Sequence, residues 1–274
     1  MIDFSKIIIG CHKFQGGIEL NNNRKIVDAA ISNGINKFDT APRYQFSEET
    51  LGKILIGRQD IKVYSKVGLS RLKQTIINRN LMSIKKITQT LLRRYSSSFS
   101  NYYETKIEKR YFNSIQELKK QKRKLGEISL TEMEIKQSVK TSLKKLKRDN
   151  LHVLFVHEPD QFVNQDEILG ILEKLRKEGY ISNYGLAYHR RLLEKEINNP
   201  YPTISMFDEK MLTKKYLSDK SFIHGLMGYY KFMYRRISED STPKTFLNDF
   251  QEFNYKSKII LAPSNINQIE NLLD

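Results

Sequence analysis

Cysteine is almost absent from this chain: Cys11 is the only one in 274 residues. A lone cysteine excludes an internal disulfide and any metal centre built from several thiolates. Long apolar runs are missing too. No stretch of 18 or more apolar residues occurs, so no membrane-spanning helix is expected. The opening segment MIDFSKIIIGCHKF carries Asp3 early, and its apolar run is too short for a secretory signal. A soluble, cytoplasmic protein is the expectation. No G-x-G-x-x-G follows a strand-like run and opens a helix-like one, which argues against a Rossmann dinucleotide fold.

What the chain has in excess is positive charge, +16 overall. The charge is concentrated. Between Leu69 and Leu125 stand 15 lysines and arginines against three glutamates, a net +12. Such a segment suits an anionic partner, and it equally suits a solvated surface insertion. No part of it resembles a nucleic-acid-binding module, so nucleic acid is not the expected partner.

Strand-like and helix-like runs alternate along the rest. Lys6–Gly10 is short and β-branched, and Ile26, Val27, Ala30 and Ile31 then recur at helical spacing. INKFDT and IKVYSKVG read as the next strands, with a helix between them that Ser47 is placed to cap. The rhythm breaks after Gly68 and resumes with Ile135, Val139, Leu143 and Leu146 on one helical face. LHVLFVHEP, ISNYGLAY, YPTISMF, KSFIHGLM and KSKIILAPS complete eight strand candidates. Alternation of this kind predicts parallel strands with right-handed crossovers. Eight units predict a (β/α)8 barrel spanning residues 1–274 as a single domain, with 69–125 as a basic helical insertion after the third strand. An open doubly wound sheet is the alternative. Within the insertion Ile77, Leu81, Ile84 and Leu91 fall on one helical face among basic residues, a pattern that binds partners, subunits or membranes, or packs on the barrel.

In a barrel the chemistry sits at the C-terminal ends of the strands. Asp39, Tyr44, Lys66 and His157 stand at or just after three such ends. Each polar group interrupts or follows an apolar run, where it is costly without a partner. Together they make a coherent set. An ammonium beside a tyrosine lowers the barrier to proton donation, a carboxylate holds the ammonium, and an imidazole hydrogen-bonds a carbonyl. Carbonyl reduction needs these groups and a hydride from a cofactor.

The same stretches resemble the aldo-keto reductases. FDTAPRYQFSEETLGKIL is similar to their second-strand signature, with Asp39 and Tyr44 five apart. VYSKVG resembles their lysine strand, SVKTSLKKLKRDNLHVLFVHEPD their helix and histidine strand, and APSNINQIENLL their last cofactor segment. The resemblance runs from about Lys6 onward, interrupted by the basic insertion. It implies a TIM barrel that binds NADPH or NADH across its mouth and reduces a small-molecule carbonyl compound: an aldehyde, ketone or sugar. It implies Tyr44 as proton donor, Lys66 as the group that tunes it, Asp39 as the partner of Lys66, and His157 as the residue that orients the carbonyl.

The cofactor side departs from the family pattern. Ala187 and Tyr188 stand where a Ser-Asn pair usually holds the carboxamide, and no glutamine ends the sixth strand. Tyr188 or Phe207 is placed to stack on the nicotinamide. Lys231, Arg235 and Arg236 are placed for the pyrophosphate, and Ser264, Asn265, Gln268 and Asn271 for the adenosine end. With no arginine in that last segment, preference for NADP over NAD is open. Two other readings remain: a catalytically impaired reductase fold that serves as a binding or regulatory protein, and a protein that meets an anionic partner or another subunit through the insertion.

Overall fold

Eight parallel strands close on themselves in a computed structural model of the protein. They are β1 (Ile7–Gly10), β2 (Lys37–Asp39), β3 (Lys62–Val67), β4 (Leu151–His157), β5 (Ile181–Ala187), β6 (Ile204–Asp208), β7 (Ser221–His224) and β8 (Lys258–Leu261), hydrogen-bonded in chain order. Closure is made by β1 against β8, with Ile7, Ile8 and Ile9 opposite Ile259, Ile260 and Leu261. That pairing excludes the open doubly wound sheet. The structure describes residues 2–69, 128–159, 162–188, 204–208, 220–232, 241–253 and 256–273, with scattered positions between 84 and 109. For 204–208 it describes the backbone only.

The helices are α1 (Leu20–Ser32), α2 (Ser47–Ile54), α3 (Glu132–Leu146), α4 (Gln165–Lys177), α5 (Leu226–Phe232), α6 (Pro243–Phe253) and α7 (Asn267–Leu273). Their stripes bury the residues that the periodicity picks out. In α3 these are Ile135, Val139, Leu143 and Leu146. A capping box starts that helix: Thr131 accepts from the Glu134 amide, and the Glu134 side chain accepts from Thr131. Among the described residues, no helix is long and apolar enough to cross a membrane.

Two apolar layers result from strand alternation. Ile8, Tyr64, Val153, Phe155, Ala187, Phe222 and Ile260 fill the barrel. The opposite faces of the strands pack against the helices in a larger cluster that includes Ile9, Leu154, Val156, Leu186 and Ile259. The barrel is thus plugged, and chemistry is confined to its ends.

Two local expectations change. Ser47 does not cap α2. It is the first residue of that helix, Phe46 takes the cap position, and no side chain caps it. The Ser47 hydroxyl instead donates to the Cys11 carbonyl at 2.7 Å and lies 2.7 Å from the Thr40 hydroxyl. A buried tertiary partner outcompetes the local cap. Leu226 and Met227, read as the end of a strand, open α5 after Gly225.

Of the insertion, the described positions between 84 and 109 are mostly helical. Ile84 and Leu91 are both exposed. Ile77 and Leu81 lie outside the described residues.

Candidate active site

The C-terminal ends of β2, β3 and β4 bring the acid, the amine and the imidazole to one mouth. Lys66 is held on β3 by ladder bonds to β4 opposite Phe155. Its ammonium donates to Asp39 Oδ1 at 2.6 Å, to Asp39 Oδ2 at 2.8 Å and to the Thr40 carbonyl at 3.1 Å. Lys66 and Asp39 are only 2% and 4% exposed, so each would be strongly destabilising without the other. Burial raises the Asp39 carboxyl, and Lys66 opposes the rise. Burial would lower Lys66, but Asp39 and then Tyr44 hold it above its ordinary value. Both carboxylate oxygens accept from the ammonium, the geometry of a buried ion pair.

Tyr44 ends a short 3-10 turn, Pro42–Tyr44, which follows β2. Proline presets the first backbone angle of that turn. The next residue, Gln45, has φ of +60°, a region unusual for residues other than glycine and typical of constrained functional loops. The turn swings the phenol back over Lys66. The ammonium lies 5.0 Å from the centre of the Tyr44 ring. Burial pushes the phenol above its ordinary pKa; Lys66 pulls it down, while Asp39 and Glu158 add to the rise. His157, the last residue of β4, meets the Tyr44 ring edge-on, with centroids 6.2 Å apart at 84°. The hydroxyl of Ser65, beside Lys66, donates to Glu48 at 2.8 Å in a buried contact that ties α2 to β3.

Three further residues belong to this mouth and escaped the sequence reading. His12, just past β1, also meets the Tyr44 ring, with centroids 6.0 Å apart at 66°. Desolvation by its neighbours, then Lys13, Lys66 and His224, lower its imidazole below the ordinary histidine value. His12 is nevertheless an exposed residue, and solvent moderates the shift. Lys13 reaches across the β1–β8 closure and donates to the Ala262 carbonyl and the Ser264 hydroxyl, each at 2.9 Å. His224 ends β7. Only the closed ring brings residues 12 and 13 beside 262–264. In sequence they read as an ordinary loop.

The cofactor-side candidates are more dispersed. Ala187 ends β5 inside the barrel, with the His157 carbonyl strand alongside. Tyr188 points the other way. It packs in the cluster between barrel and helices, where burial pushes its phenol up to about 12. It directly follows Ala187, the last residue of β5. Phe207 lies on β6 opposite Ile223, and its side chain is outside the described residues. Lys231 on α5 pairs with Glu104 of the insertion. Arg235 and Arg236 lie outside the described residues.

Ser264, Asn265 and Gln268 gather at the start of α7. The Ser264 amide donates to Gln268 Oε1 at 2.7 Å, and the Gln268 amide donates to Asn265 Oδ1 at 3.1 Å. Asn22 on α1 donates to the Ser264 carbonyl at 3.0 Å. Asn271 is exposed on α7. The loops after β1 and β2 also carry the buried amide oxygens of Gln15 and Gln45, which lack a hydrogen-bond donor. An ammonium, several amides and two acceptors awaiting donors fit a polyhydroxylated, phosphate-bearing cofactor in their chemistry.

The family model for the aldo/keto reductase family matches residues 6–206. The chain belongs to the aldo/keto reductase family. The reductase is therefore an NAD(P)-dependent oxidoreductase, of a family that acts in general on carbonyl groups of small molecules. Solved structures share its fold. The aldo-keto reductase AKR11C1 from Bacillus halodurans, in its holo form, is 19% identical, with 98% of this chain and 85% of that chain covered at a TM-score of 0.62. The thermostable aldo-keto reductase Tm1743, in complex with the inhibitor epalrestat, is 15% identical, with 99% and 89% covered at 0.61. An aldo/keto reductase from Brucella melitensis is 15% identical, with 98% and 88% covered at 0.58. No curated protein sequence matches the chain.

Proposed function

We propose that the reductase uses Tyr44 as the proton donor in the reduction of a small aldehyde, ketone or sugar carbonyl. The observation that carries this reading is the Lys66 ammonium, which donates to both oxygens of the buried Asp39 carboxylate and lies 5.0 Å from the centre of the Tyr44 ring. A phenol alone is a poor acid at neutral pH. Lys66 stabilises the phenolate left when the proton goes to the carbonyl oxygen, and Asp39 keeps Lys66 charged and fixed. His157 and His12 both contact the Tyr44 ring, where either imidazole can orient the carbonyl oxygen or a neighbouring hydroxyl. The tyrosinate then recovers its proton from water.

NADPH or NADH, when bound, supplies the hydride. Lys13, Ser264, Asn265, Gln268 and Asn271 are the residues that would hold its phosphate-bearing end, with Arg235 a further candidate. Lys231 would have to leave Glu104 to contribute. The apolar Ala187 at the end of β5 favours a second reading, in which the fold binds the nicotinamide weakly and serves as a binding protein.

Titration with NADPH and NADH, followed by nicotinamide fluorescence, separates the two. Saturable binding below about 1 mM, the upper end of ordinary KM values, is the expected result. Absence of binding of both nucleotides at that concentration would give the second reading the lead.

A further inference from the structure

The opposite face of the barrel carries a cluster that reductase chemistry does not use. β2, β3 and β8 each begin with a lysine: Lys37, Lys62 and Lys258. Lys37 and Lys62 stand directly opposite each other across the β2–β3 ladder, and like charges so placed repel. Lys258 is opposite Phe222 across β7 and β8, and its ammonium lies 5.0 Å from the Phe222 ring centre. Phe222 is part of the apolar plug, so that ammonium reaches in beneath the barrel interior. Tyr64, from the same plug, stacks on His152 with centroids 5.5 Å apart and planes 23° from parallel. His152 is the second residue of β4.

Four strands thus bring three ammonium groups and an imidazole to the barrel floor. They act on one another. Burial lowers His152, and Lys62, Lys37 and Lys258 lower it further. Burial, then Lys62 and Lys258, lower Lys37 as well. Asp3 acts on Lys37 in the opposite sense, but it is shared with Ser5 and with Lys6 at 3.3 Å. The Lys37 ammonium also donates to the Ser5 carbonyl.

We propose that this floor is a binding site for a small, multiply charged oxyanion of the phosphate class, held by Lys37, Lys62 and Lys258 with His152 at its edge. Lys37 and Lys258 are half-buried and Lys62 is exposed beside Lys37, and like charges gathered at one end of the barrel repel one another. A dianion between them reverses the sign of that interaction, and lysine recognises phosphate as a point charge without demanding bidentate geometry. The site lies at the end of the barrel away from Tyr44. Its occupancy is therefore read in stability and in the state of His152, independently of whether the mouth turns over a substrate.

The probe is inorganic phosphate, added to the full chain against sodium chloride at equal ionic strength. Histidine imidazole resonances are followed by NMR, with His152 assigned through His152→Asn, and thermal melts are recorded in parallel. The expected result is a saturable movement of the His152 resonance and a phosphate-dependent rise in Tm. Lys62→Gln should melt higher than wild type without phosphate, because it removes a repulsion, and should lose phosphate affinity by at least about tenfold, as expected for one charge-assisted contact. Lys37→Gln repeats the test from the partner strand. A His152 resonance unmoved by phosphate, or moved equally by chloride, would overturn the proposal. So would a Lys62→Gln protein that melts lower than wild type in phosphate-free buffer and binds phosphate as tightly.

Discussion

The Lys66 ammonium reaches both carboxylate oxygens of Asp39, at 2.6 and 2.8 Å, and lies 5.0 Å from the centre of the Tyr44 ring. One nitrogen therefore neutralises the buried carboxylate and, in the proposed mechanism, also tunes the phenol. Lys66→Met leaves Asp39 buried and uncompensated, which costs about 3–5 kcal/mol. Adding Asp39→Asn removes that orphaned charge. Urea unfolding should rank wild type above the double variant and the double variant above Lys66→Met. A single variant as stable as wild type would contradict the ionised pair.

The pH profile follows from the direction of two shifts. The proposed mechanism needs Tyr44 protonated, and burial raises its phenol above 10.0 in spite of Lys66. The profile of kcat/KM for reduction should stay level through neutral pH and decline only above the ordinary tyrosine value. Lys66 is also raised above 10.5. Its contribution to stability is fully present below that value and is lost as pH rises through the higher folded one. Thermal melts taken into the alkaline range should show that loss in wild type and not in the Asp39→Asn/Lys66→Met double variant.

Gly52 tests the helix packing behind the site. A Cβ there would stand 2.1 Å from the Lys145 carbonyl oxygen and 2.8 Å from Leu146 Cα. Backbone cannot yield as a side chain can, so Gly52→Ala should force α2 away from α3. The expected loss is about 1–3 kcal/mol, the ordinary range for overpacking. A Gly52→Ala protein with an unchanged melt would show that the two helices are not so closely apposed.

The fold was legible because strands buried on both faces leave short β-branched runs, and the intervening helices bury stripes at 3.6-residue spacing. Asp39, Lys66 and His157 were legible for a related reason: each is a polar group at the end of an apolar run. Other parts depend on distant chain segments. Lys13 meets Ala262 and Ser264 only because β1 closes on β8. His12 touches Tyr44 only because a turn with an unusual Gln45 backbone bends the phenol back. Ser47 looked like a cap locally, but the buried Cys11 carbonyl claims its hydroxyl. Tyr188 packs between barrel and helices, a placement that depends on the assembled fold and not on a local pattern.

The insertion is expected to be a surface addition to the barrel. Among its described residues, Glu104 pairs with Lys231 on α5, while Ile84, Leu91, Leu92, Tyr95 and Tyr102 are exposed. Replacing residues 69–125 with a short linker should leave a cooperatively melting barrel. Loss of the cooperative transition would make the insertion part of the folding unit.

The most direct measurement compares carbonyl reduction by wild type and Tyr44→Phe. A panel of small aldehydes, ketones and sugars is first screened with both nicotinamides to find a substrate. Removing one hydroxyl should leave the fold and the nucleotide affinity nearly unchanged. It should cut kcat/KM by at least about 10²-fold, the low end for a positioned general acid. A Tyr44→Phe protein that keeps most of the wild-type rate would show that the proton comes from elsewhere.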